Sequence, residues 1–321
     1  MREPRILFVK LSSLGDVVHH LPAVTDLARQ RPGAHVAWVV EEAYVDVVRL
    51  HPAITEAIAI NLRGLRRNPL RPSAWRDIAA TRRALRRGWD YVVDSQGLLK
   101  SAFVSRLARA PAFGPDAMSA RERLAARFYD VKIAVPRTLH AVERNRRLVA
   151  EIFGYSPDGP PRYGLTIPEA RPAWAPAARY AVMLHAASRA AKRWPDERWI
   201  ELGRMLAAQG LATVFPGGSA AERAGAARLA AEVPLGLAAP AMPLAEAAAL
   251  LAHADGVVGV DTGLTHLAVA LDVPTVGIYC ATRPELTGLH GGAHALNVGG
   301  AGNAPSVEAV AAAIGFGVRD E

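Results

Sequence analysis

At 321 residues, 51% hydrophobic and 21% charged, the chain has a globular composition with ample core, and its length favours two domains over one. A single cysteine, Cys280, excludes an internal disulfide and fits a reducing compartment, while no apolar stretch is long enough to span a bilayer and the one before Ser12 is too short for a signal peptide. A net charge of +8 and a pI near 10 suit an anionic partner: nucleic acid, anionic lipid or a phosphorylated substrate.

Residues 6–9 predict a buried strand, followed by the polar loop Leu11-Ser-Ser-Leu-Gly-Asp16. Val17, Val18, Leu21, Val24, Leu27 and Ala28 then recur at helical spacing, with Pro22 inside the pattern. Residues 35–40 predict a second strand, ending in Glu41-Glu42, and 57–60 a weaker third. Residues 63–71 read as a basic loop and 75–87 as a basic helix. A strand at 90–94 leads into the polar loop 95–100 and a helix through Leu107. Residues 121–128 and 140–153 read as further helices. Strand and helix alternate, which argues for a parallel sheet with helices on both faces.

Residues 156–176 change character, with six prolines and little periodicity, and read as a linker between a first domain (1–155) and a second (177–321). The alternation then restarts. A strand at 180–184 ends at His185, a polar loop carries Ser188 and Lys192, and a helix opens at Pro195 or Asp196. A strand at 211–215 ends in Pro216-Gly-Gly-Ser219, and Glu222 lies in the first turn of the next helix. Another helix is expected at 244–251, a strand at 274–279 and a last helix at 306–314. Between them, Val257–Val260 has the apolar run of a fully buried strand, broken by Asp261-Thr262-Gly263 before Leu264, Leu267, Ala268 and Leu271 resume at helical spacing. A polar triplet at a strand's carboxyl end and a helix's start is where open α/β sheets bind ligands, and free N–H groups there suit a phosphate. An ordinary helix cap would look the same. Both halves follow one plan, so two doubly wound domains with a cleft between their strand ends are expected.

No glycine-rich dinucleotide fingerprint follows the first strand, and neither a phosphate-loop motif, a nucleophile elbow nor a metal-ligand spacing occurs. His19 and His20 are adjacent, so on a helix they face different ways, and packing is their expected role. Polar residues at successive strand ends remain. The first half offers Ser12, Ser13, Gly15, Asp16, Glu41, Glu42, Asp94 and Gln96, a carboxylate-bearing set able to supply a general base. The second offers Ser188, Lys192, Gly217, Gly218, Ser219, Glu222, Asp261, Thr262, Gly263 and His266, which suit a diphosphate. An acceptor on one side and a nucleotide on the other is the plan of a two-domain transferase. Asp16 as a helix cap and Lys192 as a solvated lysine are the plainer alternatives. A nucleic-acid partner is disfavoured, because Trp75 is the one aromatic in the basic stretch 63–87.

Taken together, Lys10-Leu-Ser-Ser-Leu-Gly-Asp16-Val-Val-His-His-Leu-Pro22, Trp38-Val-Val-Glu-Glu42, Asp94-Ser-Gln-Gly-Leu-Leu-Lys100, His140-Ala-Val-Glu-Arg-Asn-Arg146, Lys192-Arg-Trp-Pro195 and Asp261-Thr-Gly-Leu-Thr-His-Leu-Ala268 closely resemble the lipopolysaccharide heptosyltransferase I family, in order over nearly the whole chain. The heptosyltransferase II family fits less well around the opening Gly-Asp. The resemblance implies a GT-B fold, two Rossmann-like domains facing across a cleft, with the last helix crossing back onto the first. It implies inverting, metal-independent transfer of L-glycero-D-manno-heptose from ADP-heptose to Kdo of Kdo2-lipid A, with no cofactor. Asp16 then matches the catalytic base and Lys192 the residue that meets the diphosphate. Ser188, Glu222, Met242, Asp261, Thr262, Gly263 and His266 fall where the family binds the donor, with Asp261 a candidate for reading heptose hydroxyls. Ser13, Gly15, Arg121 and Arg123 fall on the acceptor side. Ala187 stands where the family often has a threonine. Such a protein is expected peripherally at the cytoplasmic face of the bacterial inner membrane, drawn to anionic lipid by the basic stretch 63–87. Another heptosyltransferase or a sugar-nucleotide epimerase of the same architecture is the alternative.

Overall fold

The computed structural model describes residues 3–68 and 72–315. The chain divides into two compact units, Met1–Leu165 and Thr166–Glu321, and the division falls inside the proline-rich stretch 156–176.

Unit 1 runs β1 (Arg5–Val9), α1 (Leu14–Val18), α2 (Leu21–Gln30), β2 (His35–Glu41), α3 (Val45–Arg49), β3 (Glu56–Ile60), α4 (Leu62–Arg67), α5 (Pro72–Leu85), β4 (Tyr91–Asp94), α6 (Leu99–Leu107), β5 (Ala112–Pro115), β6 (Val131–Ile133) and α7 (Ala141–Phe153). Its six strands are all parallel, in the order β3-β2-β1-β4-β5-β6. Strand β1 lies at the centre because Ile6, Leu7, Phe8 and Val9 are apolar towards both faces and fully buried.

The first helix differs from its sequence reading. Pro22 has no N–H and its ring would collide with the carbonyl four residues back, so α1 stops at Val18 and α2 restarts with Pro22 in its first turn. At the break, His20 is fully buried, its ring edge-on to Phe8 at 4.7 Å and Trp38 at 4.9 Å, which is the packing role expected of it. The buried Arg146–Asp26 ion pair, at 2.7 Å, ties α7 to α2. The basic stretch from residue 63, read as a loop, begins as the helix α4, because the Asn61 side chain accepts a 2.6 Å bond from the Gly64 N–H and caps it; residues 69–71 lie outside the described residues. Residues 121–128 form no α-helix but a 3-10 helix, Arg123–Phe128.

Unit 2 runs β7 (Tyr180–Leu184), α8 (Asp196–Ala208), β8 (Ala212–Phe215), α9 (Ala220–Ala231), β9 (Gly236–Ala238), α10 (Leu244–Ala252), β10 (Gly256–Val260), α11 (Gly263–Ala270), β11 (Thr275–Tyr279), α12 (Pro284–Thr287), β12 (Ala295–Gly299) and α13 (Val307–Ala312). Its six parallel strands follow β12-β11-β10-β7-β8-β9. Numbered within each unit, the two sheets have one order, 3-2-1-4-5-6, that of dinucleotide-binding doubly wound folds. Gly259 lets α11 settle on β10, since a Cβ there would lie 2.4 Å from Thr265 Oγ1 and 2.9 Å from Leu184 Cβ. In α13, Val307 and Val310 join the unit 2 core beside Trp194 and Trp199. The Pro305 carbonyl just before it accepts from Trp194 Nε1 at 2.9 Å and Arg198 Nη1 at 2.7 Å.

Candidate functional sites at the two switch points

In such a sheet the strand order reverses beside the first strand, and loops leaving the two central strands part there, opening a crevice. In unit 1 these are the loops after β1 and β4. In unit 2 they follow β7 and β10. Most of the polar residues singled out from sequence stand on these four loops.

In unit 1 the β1 loop is held from below. Buried Lys10 donates to the Ser95 carbonyl at 2.8 Å and to Asn145 Oδ1 at 2.9 Å. Gln96 Oε1 accepts from the Leu11 N–H at 2.7 Å, and its amide nitrogen donates to the Ser12 carbonyl. Asp16, the third residue of α1, turns its carboxylate back over the helix start. One oxygen accepts from the Ser13 N–H at 2.9 Å and the Ser13 hydroxyl at 3.3 Å, and the other pairs with Arg121 Nη1 at 3.0 Å. Burial opposes ionisation of Asp16, but the Lys10 and Arg121 cations and the Ser13 N–H outweigh it, so its carboxyl is held below the usual carboxylate range. Its side chain remains 27% exposed.

The other carboxylates are committed elsewhere. Asp94 is fully buried, accepting from the Gln96 N–H at 2.7 Å, the Gly97 N–H at 3.1 Å and the Tyr129 hydroxyl at 2.7 Å. Burial pushes its pKa up despite those donors. Glu41 accepts from the Arg63 N–H at 2.8 Å, and Glu42 from Asn61 at 2.7 Å, both at the start of α4. Of the set, Asp16 is the carboxylate at a switch point that solvent still reaches, since Glu42, though exposed, stands beyond β2.

Ser13, Asp16 and Arg121 thus come together, with Gly15 inside α1, whereas Arg123 turns away and places Nη2 3.9 Å from Met118 Sδ. Sequence reading missed Lys10 and Arg144. The position of Lys10 directly after β1 could have pointed to it. Burial, with Arg121 and Arg137 nearby, holds the Arg144 guanidinium below its ordinary value against the pull of Asp16, and its Nε is buried without a hydrogen-bond partner. Arg121 and Arg144 make this corner a place for an anion.

In unit 2 Asp261 is the hub. Its Oδ2 accepts from Lys192 Nζ at 2.6 Å and from Thr282 Oγ1 at 2.7 Å, and Oδ1 meets His266 Nε2 at 3.3 Å. Burial works against its charge, but His266, Lys192 and Thr282 prevail and hold the carboxyl well below the usual carboxylate range. Lys192 also donates to the Asp261 carbonyl at 3.3 Å, which leaves one of its three protons for a ligand. Thr262 is the N-cap residue of α11, yet its hydroxyl bonds Thr265 at 3.1 Å and no side chain caps the helix, whose first residue is Gly263. A lysine beside an uncapped helix start can receive an anion.

Ser188, exposed in the β7 loop, and Met242, half-buried ahead of α10, are outside this hydrogen-bond network. Glu222 caps α9, its Oε2 accepting from the Gly218 and Ser219 N–H groups at 2.9 Å each. Ala187 is buried in the core against Trp194, so no hydroxyl is offered there. Thr282 was missed from sequence, although it follows the end of β11. Among the described residues no group of three or more His, Cys, Asp or Glu side chains gathers as a metal site.

Residues 78–312 match the model of glycosyltransferase family 9 (heptosyltransferase). Lipopolysaccharide heptosyltransferase 1 of Pseudomonas aeruginosa is 44% identical over 292 residues, 89% of this chain and 81% of that protein. Among solved structures, E. coli heptosyltransferase WaaC with ADP superposes with a TM-score of 0.87 at 38% identity, over 95% of this chain and 96% of that one. The same enzyme with ADP-2-deoxy-2-fluoro heptose gives 0.83 at 38% identity, over 96% and 98%.

Proposed function

The chain belongs to glycosyltransferase family 9 (heptosyltransferase) and has its GT-B fold, and from that premise we propose that it transfers L-glycero-D-manno-heptose from ADP-heptose to a Kdo sugar of Kdo2-lipid A, with inversion and without a metal ion. The observation that carries this reading is the Lys192–Asp261 pair at the uncapped start of α11, in a chain that matches an enzyme solved with ADP and with an ADP-heptose analogue.

In the proposed reaction Asp16 takes the proton of the acceptor hydroxyl. That oxygen forms a bond to the anomeric carbon, the bond from that carbon to the diphosphate breaks, and ADP leaves with the electron pair. Lys192 and the α11 N–H groups stabilise the charge that develops on ADP, the work a divalent metal performs in other transferases. Asp261 holds Lys192 in place, with one acceptor position on Oδ1 left for a heptose hydroxyl. Kdo is an acidic sugar, and Arg121 and Arg144 suit its carboxylate. Peripheral attachment to the cytoplasmic face of the inner membrane completes the reading. No helix among the described residues is long and apolar enough to cross a membrane, and Arg76, Arg82, Arg83 and Arg86 on α5 and just beyond it suit anionic lipid.

The test is product analysis with ADP-heptose, with and without Kdo2-lipid A, in the presence and absence of a chelator. Heptosylated acceptor plus ADP, formed equally under chelation, is expected. Conversion of the donor without acceptor would point to an epimerase. Activity lost to the chelator and restored by magnesium would remove Lys192 and α11 as the source of positive charge.

A further inference from the structure

Next to the unit 1 switch point, one face of unit 1 leaves four large apolar side chains in solvent: Leu99 (40% exposed), Phe103 (58%), Met118 (69%) and Leu124 (52%). Scattered apolar side chains need no explanation. These are not scattered. Leu99 and Phe103 stand one turn apart on α6, and between them Ala102 packs in one buried cluster with Ala125 and Ala126 of the 3-10 helix Arg123–Phe128, which brings Leu124 alongside. The Leu99 N–H donates to Glu122 at 2.6 Å, and Arg123 reaches Met118. Arg123, Leu124, Arg127 and Lys132, the last on the edge strand β6, line one open hollow of about 520 Å3.

With Asp130 paired to Arg106, the remaining cations on this face, Arg123, Arg127 and Lys132, outnumber its carboxylates, Glu122 and Asp116. The neighbouring carboxylates are already engaged: Asp130 with Arg106 at 3.0 Å, Glu122 with the Leu99 N–H, and Asp116 with the Met118 and Ser119 N–H groups. Arg123, Arg127 and Lys132 are exposed. Protruding apolar side chains ringed by long basic ones match a bilayer interface, where apolar groups enter the acyl boundary and cations meet lipid phosphates. The basic helix α5 differs, since among its described side chains Ile78, 39% exposed, is the one large exposed apolar group beside Arg82, Arg83 and Arg86.

We propose that the face formed by α6, the 3-10 helix Arg123–Phe128 and β6 seats unit 1 on an anionic lipid bilayer, with Phe103 and Leu124 entering the acyl boundary and Arg123, Arg127 and Lys132 meeting headgroup phosphates. The inference rests on the proposed peripheral attachment and locates its apolar part, whereas the described side chains of α5 supply chiefly charge.

Co-sedimentation with phosphatidylcholine vesicles, with and without phosphatidylglycerol, tests it, using the parent, Phe103→Ser/Leu124→Ser, Arg127→Ser/Lys132→Ser and Arg82→Ser/Arg83→Ser. The substituted side chains are exposed, and unchanged circular dichroism and ADP binding verify folding. Removing both apolar groups is expected to lower partition into anionic vesicles about tenfold or more and to abolish the part that survives high salt. Arg127→Ser/Lys132→Ser lowers binding and its salt dependence. The α5 variant loses salt-sensitive binding and keeps the salt-resistant part. A Phe103→Trp variant gains fluorescence that brominated lipid quenches. Heptose transfer to a water-soluble, deacylated acceptor stays at the parent rate in Phe103→Ser/Leu124→Ser.

Equal partition of the parent and Phe103→Ser/Leu124→Ser overturns the proposal, as does a Phe103→Trp fluorescence that brominated lipid leaves unquenched. So does concentration-dependent self-association of the parent that the Phe103→Ser/Leu124→Ser variant abolishes, which would make the face a protein contact. A parent that ignores vesicles yet glycosylates the soluble acceptor sinks the surface and spares the transferase; lipid quenching of the Phe103→Trp variant without transfer by the parent does the reverse.

Discussion

Asp16→Asn separates the two roles open to this residue. As a cap, Asp16 supports the start of α1 by accepting from the Ser13 N–H at 2.9 Å, and the asparagine carbonyl can keep that bond. What is lost is the attraction of the Lys10 ammonium and the ion pair with Arg121, at 3.0 Å, whose members are 27% and 52% exposed. Pairs this open to solvent contribute about 0.2–1 kcal/mol. That corresponds to a fall in melting temperature of no more than about 4 °C for a unit of this size. As a general base the residue must accept a proton, which asparagine cannot do, and the expected loss in turnover is about a hundredfold to ten-thousandfold. That is about 3–5 kcal/mol of transition-state free energy, several times the stability change, so the two roles cannot be confused. The assay is steady-state ADP release with Kdo2-lipid A, beside calorimetric ADP binding, which should match the parent because the proposed donor residues are in unit 2. Turnover within a few-fold of the parent refutes the base. Glu41, Glu42 and Asp94 would then be the remaining carboxylates, each already committed to a neighbouring donor.

Three further outcomes are expected. Lys192→Ala should lower kcat at least tenfold, as loss of one contact to developing charge does; an effect confined to KM would mean that Lys192 binds ground state and transition state alike. Arg121→Ala removes one of the cations that hold Asp16 down, so the carboxyl should titrate higher and the acid limb of the kcat/KM profile should move to higher pH; an unmoved limb would show that some other group sets it. Gly259→Ala puts a Cβ 2.4 Å from Thr265 Oγ1, a clash in a packed core that costs about 1–3 kcal/mol, with ADP affinity falling as the start of α11 shifts; a calorimetric melting point and ADP affinity equal to the parent's would show that the two elements are not packed this closely.

The sequence made the central strands and the switch-point residues legible for one reason. A strand buried on both faces must be a short apolar run, and whatever polar group ends it stands at the sheet's carboxyl edge. Val257–Val260 followed by Asp261 is such a case. The strands β5, β6, β9 and β12 were not legible: they have three to five residues, and β6 and β12 are largely open to solvent, so neither alternation nor a continuous apolar run marks them. The break at Pro22 was legible in kind, but the periodic Val17–Leu27 pattern on both sides concealed where it fell. The working of the site was harder still. Asp261 was expected to read sugar hydroxyls, yet three donors from loops 21 and 69 residues away and from α11 itself occupy most of its carboxylate. Arg144 gave no local sign, because its place beside Asp16 depends on how α7 packs on α2.

The two switch points share a design that follows from one topology. Each sets a carboxylate against a cation, Asp16 with Arg121 and Asp261 with Lys192, and in each pair the cation is the more exposed member, 52% against 27% and 21% against 9%. The carboxylate is fixed by donors of its own, so an incoming anion meets the cation first. For Lys192 this suits a diphosphate directly: Asp261 keeps the ammonium in place, and its third proton is uncommitted. In unit 1 the same order has a different consequence under the proposed chemistry. An acidic sugar that draws Arg121 to itself relieves Asp16 of a charge that depresses its pKa, and the base strengthens as the acceptor binds. Arg121→Ala imitates that relief without a substrate. The shift it produces in the acid limb of kcat/KM should therefore nearly vanish in kcat, where bound acceptor has already engaged the arginine in the parent. An equal shift in both profiles would show that Arg121 stays with Asp16 throughout turnover.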